Sequence, residues 1–337
     1  MFSSTNTKVF IIAEAGVNHN GSLSRALELC DAAKEAGADA VKFQTWKTEK
    51  IVTERARMAA YQKENLGADD SQFAMLKALE LSYEDFRAIQ EHCRAIGIAF
   101  LSTPDEEESL RFLVSLGLPL VKVGSGEVTN IPYLRQIGEC RLPVILSTGM
   151  STLEQVKVAY QTLLDAGAPE VALLHCTTNY PCPMEEVNLR AMLTLKEAFG
   201  CPVGYSDHTM GIEVPVAAVA LGAQIIEKHF TLSRELPGPD HKASLEPSEL
   251  KAMVQAIRNI ETALGDGVKR PYASEEANAQ VVQKSILAAC PIRKGEVLTA
   301  DKLTVKRAGG GLSPVCWDSV VGTVAQYDFD TDEAIRL

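Results

Sequence analysis

The sequence predicts an α/β protein in which a closed (β/α)8 barrel of parallel strands precedes a small, mainly β module. Three observations carry this expectation. One phrase recurs along most of the chain: a helical stretch, a small-residue turn such as Ala36-Gly37-Ala38 or Leu116-Gly117-Leu118, a short apolar strand, then a polar cluster. That order is the βα unit. Eight such strands can be placed, and they are unbroken apolar runs, as strands covered on both faces are. Nearly all of them end in reactive side chains. A barrel gathers its strand ends at one mouth, where catalysis takes place, whereas a doubly wound open sheet, the competing architecture, spreads them along an edge.

The elements follow in order. Val9–Ala13 runs into Glu14, and Ala40–Phe43, after Ala-Gly-Ala, carries Lys42 and leads to Gln44. Ile98–Leu101 follows Gly97 and ends at Ser102; Leu120–Val123 follows Leu-Gly-Leu-Pro, bears Lys122 and leads to Ser125. Val144–Leu146 ends at Ser147 and Val171–Leu174 at His175. Val203–Tyr205 leads to Ser206 and His208, and Gln224–Glu227 to His229. Between them, stretches such as Leu153–Ala166 and Ile212–Leu221 carry apolar residues at helical spacing. The periodic pattern stops near Leu264, before Gly265-Asp266-Gly267. The expected organisation is therefore a TIM-barrel catalytic domain over 1–267, a polar linker over 268–283 and a β module over 284–337. A module of about 50 residues is marginal for an independent core, so it is expected to lean on the barrel or on a second subunit.

Composition narrows the function. The 337 residues include 33 Lys and Arg against 44 Asp and Glu, a formal charge of −11. That balance argues against nucleic acid or an anionic membrane as a general partner. Apolar runs fall short of the roughly 18 residues that span a bilayer, and the opening MFSSTNTKVF lacks the basic and apolar regions of a secretory leader. The 8 cysteines are scattered without a C-x-x-C pair. They read as reduced thiols of a cytoplasmic protein.

Several constellations point to chemistry at the mouth. His208 and His229 close adjacent strands, roughly 5 Å apart in a barrel, so both imidazoles can reach one divalent ion and leave positions open for substrate. Singly, each reads equally as a hydrogen-bonded structural histidine. Lys42 and Lys122 follow apolar residues, where a lysine either pairs with a carboxylate or holds an anion. Ser125, Ser147 and Ser206 add donors for a phosphate. A Schiff-base lysine, as in an aldolase, is an alternative use of the same residues. Glu14 and Glu127 suggest a base or a ligand for substrate hydroxyls, or partners of the lysines. His19, His92 and Cys176 read as structural.

Ten ordered segments resemble the sialic-acid synthase family along the whole chain. They are IIAEAGVNHNG (11–21), AVKFQT (40–45), FLSTP (100–104), VGSGE (123–127), ILSTGM (145–150), LLHCTTNYP (173–181), GYSDHT (204–209), EKHFTL (227–232), GPDHKASLEP (238–247) and VKRAGGG (305–311). The resemblance implies a (β/α)8 barrel followed by an antifreeze-like (SAF) domain. It implies a transferase of class EC 2.5.1 that condenses phosphoenolpyruvate with an open-chain N-acetylated mannose-type sugar to a nine-carbon 2-keto acid and phosphate. Carried over residue by residue, it implies that His208 and His229 hold a divalent ion, Mn2+ foremost with Co2+ or Mg2+ as alternatives, that polarises the sugar aldehyde. Lys42, Lys122, Ser125, Ser147 and Ser206 would hold phosphoenolpyruvate, with Thr178 near the phosphate. Gln44, Glu127, Tyr180 and Asp240 would contact the sugar, and Glu14 would handle protons. Arg307 would reach in from the other subunit of a homodimer with exchanged C-terminal domains, a role that the residues alone do not suggest.

The chain departs from the family pattern at Asp105, where many members have phenylalanine, at Gln283 and at Ala308. Within the family, AEAGVNHNG, HCTTNYP and YSDHTMGI are most similar to the legionaminic-acid synthases, whose sugar is 2,4-diacetamido-2,4,6-trideoxymannose. N-acetylmannosamine is the alternative substrate, ahead of the sugar of the pseudaminic-acid synthases. A non-enzymatic reading, an ice- or carbohydrate-binding module on a degenerate barrel, is opposed by the intact set of mouth residues.

Overall fold

The computed structural model describes residues 8–58, 62–63 and 71–337. The opening segment 1–7, read above for a leader, lies outside the described residues. Among the described residues eight parallel strands form one sheet: β1 Phe10–Gly16, β2 Ala40–Thr45, β3 Ala99–Pro104, β4 Val121–Val123, β5 Val144–Ser147, β6 Val171–His175, β7 Val203–Asp207 and β8 Ile225–His229. Their order is β3-β2-β1-β8-β7-β6-β5-β4. The first strand thus pairs with the last, and β3 and β4 lie side by side to complete a nearly closed barrel.

All strands but β4 run further toward the mouth than their apolar runs predict. The reason is chemical. The extended backbone continues through the polar residues that line the mouth, and an apolar run registers only the part of a strand packed on both sides.

The two-residue period of a strand then sorts the side chains. Ile11, Val41, Val121 and Ile226 point outward to the helices. Ile12, Ala40, Leu101, Leu120, Ile145, Ala172, Leu174 and Ile225 fill the interior as a separate apolar plug. Gly204 belongs to that layer, since a Cβ there would lie 2.2 Å from the Ile225 carbonyl oxygen. One step of the period further, the inward positions become Glu14, Lys42, Lys122, Ser147, Cys176, Ser206 and Glu227, and two steps beyond Ile225 stands His229. The plug therefore acts as a dry floor beneath a polar cup.

The covering helices start where local chemistry dictates. Ser82 caps Tyr83–Ile96 with a full capping box to Asp85, Thr152 caps Leu153–Asp165 in the same way with Gln155, and Gly37 and Gly97 end their helices in left-handed conformations. Among the described residues no helix is long and apolar enough to cross a membrane.

The chain divides between Gly265 and Asp266 into two compact units. The second unit pairs β9 Lys284–Ala288 antiparallel with β10 Leu303–Arg307 and has its own small core, including Ile286, Ile292, Leu298 and Phe329. Within the segment expected to be an irregular linker the chain forms the helix Ala273–Val282, none of whose residues is buried. Its run of Ala, Ser, Glu and Gln favours a helix without an amphipathic stripe, so hydrophobic periodicity gave no sign of it.

Candidate active site

The strand ends surround a cavity of about 190 Å³. Of the expected site residues, Glu14, Lys42, Gln44, Lys122, Ser125, Ser147, Thr178, Tyr180, Ser206, His208 and His229 line it. Three others do not. Glu127 sits in the short 3-10 turn Ser125–Glu127, where its carboxylate accepts from Asn130 Nδ2 at 2.6 Å. Asp240 is buried behind His229, its Oδ2 lying 3.8 Å from Nδ1 of that ring. Arg307 ends β10 in the second unit, opposite Lys284, and is exposed.

The floor of the cavity is an ionic network. Lys42 Nζ lies 2.6 Å from Glu14 and 3.7 Å from Glu227, and donates to Thr103 Oγ1 at 3.1 Å. Lys122 Nζ lies 3.5 Å from Glu227 and donates to Ser147 Oγ at 2.8 Å. Ser206 donates to Glu227 at 3.3 Å, and Gln44 to Glu14 at 3.0 Å. The side chains of Glu14, Lys42, Lys122 and Glu227 are almost fully buried. Burial, with the charge of Glu227 beside it, pushes Glu14 up to about 7 despite Lys42. Burial works on Glu227 as well, yet Lys122 and Lys42 outweigh it and hold that carboxyl below its ordinary range. Two neighbouring carboxylates are thus pushed apart in acidity, the pattern that separates a proton-transfer group from a charge holder. Burial also lowers Lys122, reinforced by repulsion from Lys42.

The other wall carries the imidazoles. His208 and His229 have ring centroids 5.4 Å apart, with the Tyr180 ring 4.1 Å from the first and 5.5 Å from the second. His208 Nδ1 lies 2.6 Å from the Thr177 carbonyl oxygen, so the proton assigned there leaves Nε2 as an acceptor. His229 Nδ1 is buried with no hydrogen-bond partner. Burial above all lowers the pKa of both rings from the ordinary imidazole value, which favours their neutral forms near pH 7. Two neutral, buried imidazoles, one with a nitrogen left unpaired, suit a divalent ion whose remaining positions go to substrate and water. Among the described residues, no group of three or more His, Cys, Asp or Glu side chains is placed to hold an ion.

The histidines are held from behind. On the outward face between them, Lys228 and Asp207 pair at 2.5 Å with both side chains fully buried, and Asp207 also accepts from Thr209. The two stand opposite each other in the β7–β8 ladder, each next in sequence to one histidine. Removing one partner of such a pair costs about 3–5 kcal/mol, because the other charge stays buried. At β1 the ladder to β2 shifts register between Glu14 and Gly16. Gly16 has φ +49°, and a Cβ there would lie 3.1 Å from Glu14 Oε1 and 3.6 Å from His229 Cε1, so a side chain at the bulge would be strained and would crowd both groups.

Comparison with known proteins decides the lineage. A NeuB family profile matches residues 29–269 and a SAF domain profile residues 283–337. The chain belongs to the NeuB family. It is 47% identical over 331 residues to an N,N'-diacetyllegionaminic acid synthase of Campylobacter jejuni, covering 98% of this chain and 99% of the relative. It is 48% identical to the corresponding Legionella pneumophila synthase, covering 93% and 89%. Among solved structures, the N-acetylneuraminic acid (sialic acid) synthetase of Leptospira borgpetersenii superposes with a TM-score of 0.71 at 36% identity, covering 81% of this chain and 90% of that one.

Five side chains of this NeuB-family cavity, Thr103, Asp105, Met150, Cys176 and Glu227, had no role assigned from the sequence. Glu227 was noted only as a polar strand end, and Asp105 only as a departure from the family pattern; both line the cavity. Cys176, expected as a structural thiol, is also in the wall, 3.2 Å from Ser125 Oγ. Met150 lies beside it, exposed, with φ +60°. The strand period would have found Glu227, two residues before His229, and Cys176, two after Leu174. His19 and His92 lie outside the wall: His92 pairs with Asp31 at 2.7 Å on a neighbouring helix, and His19 Nδ1 accepts from the Gly21 amide.

Proposed function

We propose that this NeuB-family protein condenses phosphoenolpyruvate with open-chain 2,4-diacetamido-2,4,6-trideoxymannose, giving N,N'-diacetyllegionaminate and phosphate, as a C–C bond-forming transferase of class EC 2.5.1. One observation carries the reading: a pair of buried lysines suited to an anion and a pair of neutral imidazoles face each other across a single small cavity. The sugar follows from the two legionaminic acid synthases that match nearly the whole chain.

In this reading Lys42, Lys122, Ser125, Ser147 and Ser206 hold the phosphate and carboxylate of phosphoenolpyruvate. Thr178 Oγ1, buried with no hydrogen-bond partner, adds a donor to the same ligand. Gln44, Glu127, Tyr180 and Asp240 orient the sugar. When bound by His208 and His229, a divalent ion, Mn2+ foremost with Co2+ or Mg2+ as alternatives, supplies Lewis-acid polarisation of the aldehyde. The enolpyruvate methylene attacks the aldehyde carbon, whose oxygen becomes a hydroxyl. Water adds to the second carbon of the enolpyruvate unit and gives one proton to Glu14, which passes it to the former aldehyde oxygen; the carbon–oxygen bond to phosphate then breaks, the added hydroxyl becomes the ketone, and its remaining proton leaves with the phosphate. Holding both substrates in line supplies much of the rate.

Lys122→Met removes a charge-assisted contact to the anion, generally about 1.5–3 kcal/mol, so phosphoenolpyruvate binding by calorimetry is expected to weaken roughly 10- to 100-fold. Unchanged binding would remove Lys122 from the anion site. The sugar is tested by competition among 2,4-diacetamido-2,4,6-trideoxymannose, N-acetylmannosamine and the sugar of the pseudaminic-acid synthases. Preference for the first supports the reading, and preference for another reassigns the substrate.

The proposal extends to a cytoplasmic homodimer in which the SAF domain of one subunit covers the barrel mouth of the other and delivers Arg307 to the substrates. Mixing Arg307→Ala subunits with His208→Ala subunits is then expected to restore part of the activity, because one hybrid site has an intact barrel and an intact tip. Verified mixed dimers without activity, or a fully active monomer, would exclude the shared site.

A further inference from the structure

Asp105 stands just past the end of β3, where its amide donates to the Thr45 carbonyl at 3.0 Å and carries the β3–β2 pairing one residue beyond Pro104. Its half-buried side chain forms part of the cavity wall, two residues above Thr103. The other carboxylates and both lysines of that wall are matched: Glu14 with Lys42, Glu227 with Lys42 and Lys122. Among the described residues the Asp105 carboxyl makes neither a hydrogen bond nor an ion pair. Burial, and then the facing charge of Glu127, push it up to about 7. Without a protein partner, that carboxyl is placed to hydrogen-bond a ligand in the cavity.

The ligand's charge decides which substrate that is. Glu127 and Glu14 act on that carboxyl against Lys42 and Lys122, and the charge of the carboxylate itself would repel a multiply charged anion such as phosphoenolpyruvate. A neutral sugar can offer O–H and amide N–H donors to it without that charge repulsion. The same side of the mouth carries Gln44 and Glu127, the groups assigned to the sugar above. We propose that Asp105 is a specificity-determining residue that accepts a hydrogen bond from an O–H or amide N–H of the neutral sugar. The inference rests on the condensing function proposed for this cavity.

A site built to take a donor discriminates strongly against ligands that lack it. The test is steady-state kinetics of Asp105→Ala and Asp105→Asn, with KM measured for each substrate and kcat/KM compared between the diacetamido sugar and N-acetylmannosamine. Asp105→Ala is expected to raise the sugar KM roughly tenfold or more, to change the ratio between the two sugars, and to leave the KM for phosphoenolpyruvate unchanged. Asp105→Asn, which keeps an acceptor oxygen and the side-chain shape, should fall between the two and covers the case in which the alanine variant folds poorly. An unchanged sugar KM and sugar ratio in both variants, with normal condensation by the unaltered enzyme, overturns the role of Asp105 alone. A rise in the KM for phosphoenolpyruvate only would place Asp105 at the anion and overturn it too. Absence of condensation by the unaltered enzyme with any of the sugars would overturn the underlying function, and the inference with it.

Discussion

Replacing His208 and His229 together by alanine is expected to abolish condensation, and chelation of the unaltered enzyme is expected to do the same reversibly. The two rings are the neutral, buried donors of the cavity, and one of them keeps a nitrogen without a partner. Imidazole ligation favours Mn2+, Co2+ and similar ions over Mg2+, so restoring activity after chelation should rank the ions in that sense. Binding gives a second readout. Titration of Mn2+ followed by electron paramagnetic resonance should show one site in the unaltered protein and none in the double variant. Full activity of the double variant in chelator would remove the metal from the account.

Glu14→Gln is expected to lower turnover by roughly 10² to 10⁴, the usual contribution of a positioned acid–base group, with little change in phosphoenolpyruvate affinity. The substitution keeps the size of the side chain and its contact with Gln44, but cannot take a proton. The pH dependence sharpens the test. Burial and the neighbouring Glu227 put Glu14 at about 7, so its base form is lost as pH falls through neutrality. Turnover of the unaltered enzyme should therefore fall on the acid side with an apparent midpoint near 7, and the residual turnover of the variant should lack that limb. Normal turnover by Glu14→Gln would leave Glu14 a structural partner of Lys42.

How much of this was legible in the sequence depends on what each residue must do. Lys42 and Lys122 stood out because a charge inside an apolar strand is costly unless it is paired or bound. His208 and His229 stood out because they follow strands that a barrel makes neighbours. The whole floor obeys the same two-residue period, so Glu227 was as readable as His229, but its role depends on lying within reach of both lysines, a distance that no spacing encodes. Asp105 was harder. It follows a proline beyond the apolar run of its strand, where pattern gives no face, and only the folded backbone aims it into the cavity. The helix Ala273–Val282 was missed for the opposite reason, having helix-forming composition without an apolar stripe. Asp240, assigned through the resemblance, and Glu127, singled out from the residues as well, lie beside the cavity and not in its wall.

The most direct test of the central claim is product analysis by mass spectrometry, with phosphate release followed in parallel, after incubating the protein with Mn2+, phosphoenolpyruvate and 2,4-diacetamido-2,4,6-trideoxymannose. The account predicts a nine-carbon 2-keto acid formed in equal amount to the phosphate released, and neither product without the sugar. Phosphate released without a carbon–carbon product, or no product with this sugar, N-acetylmannosamine or the pseudaminic-acid precursor, would contradict it.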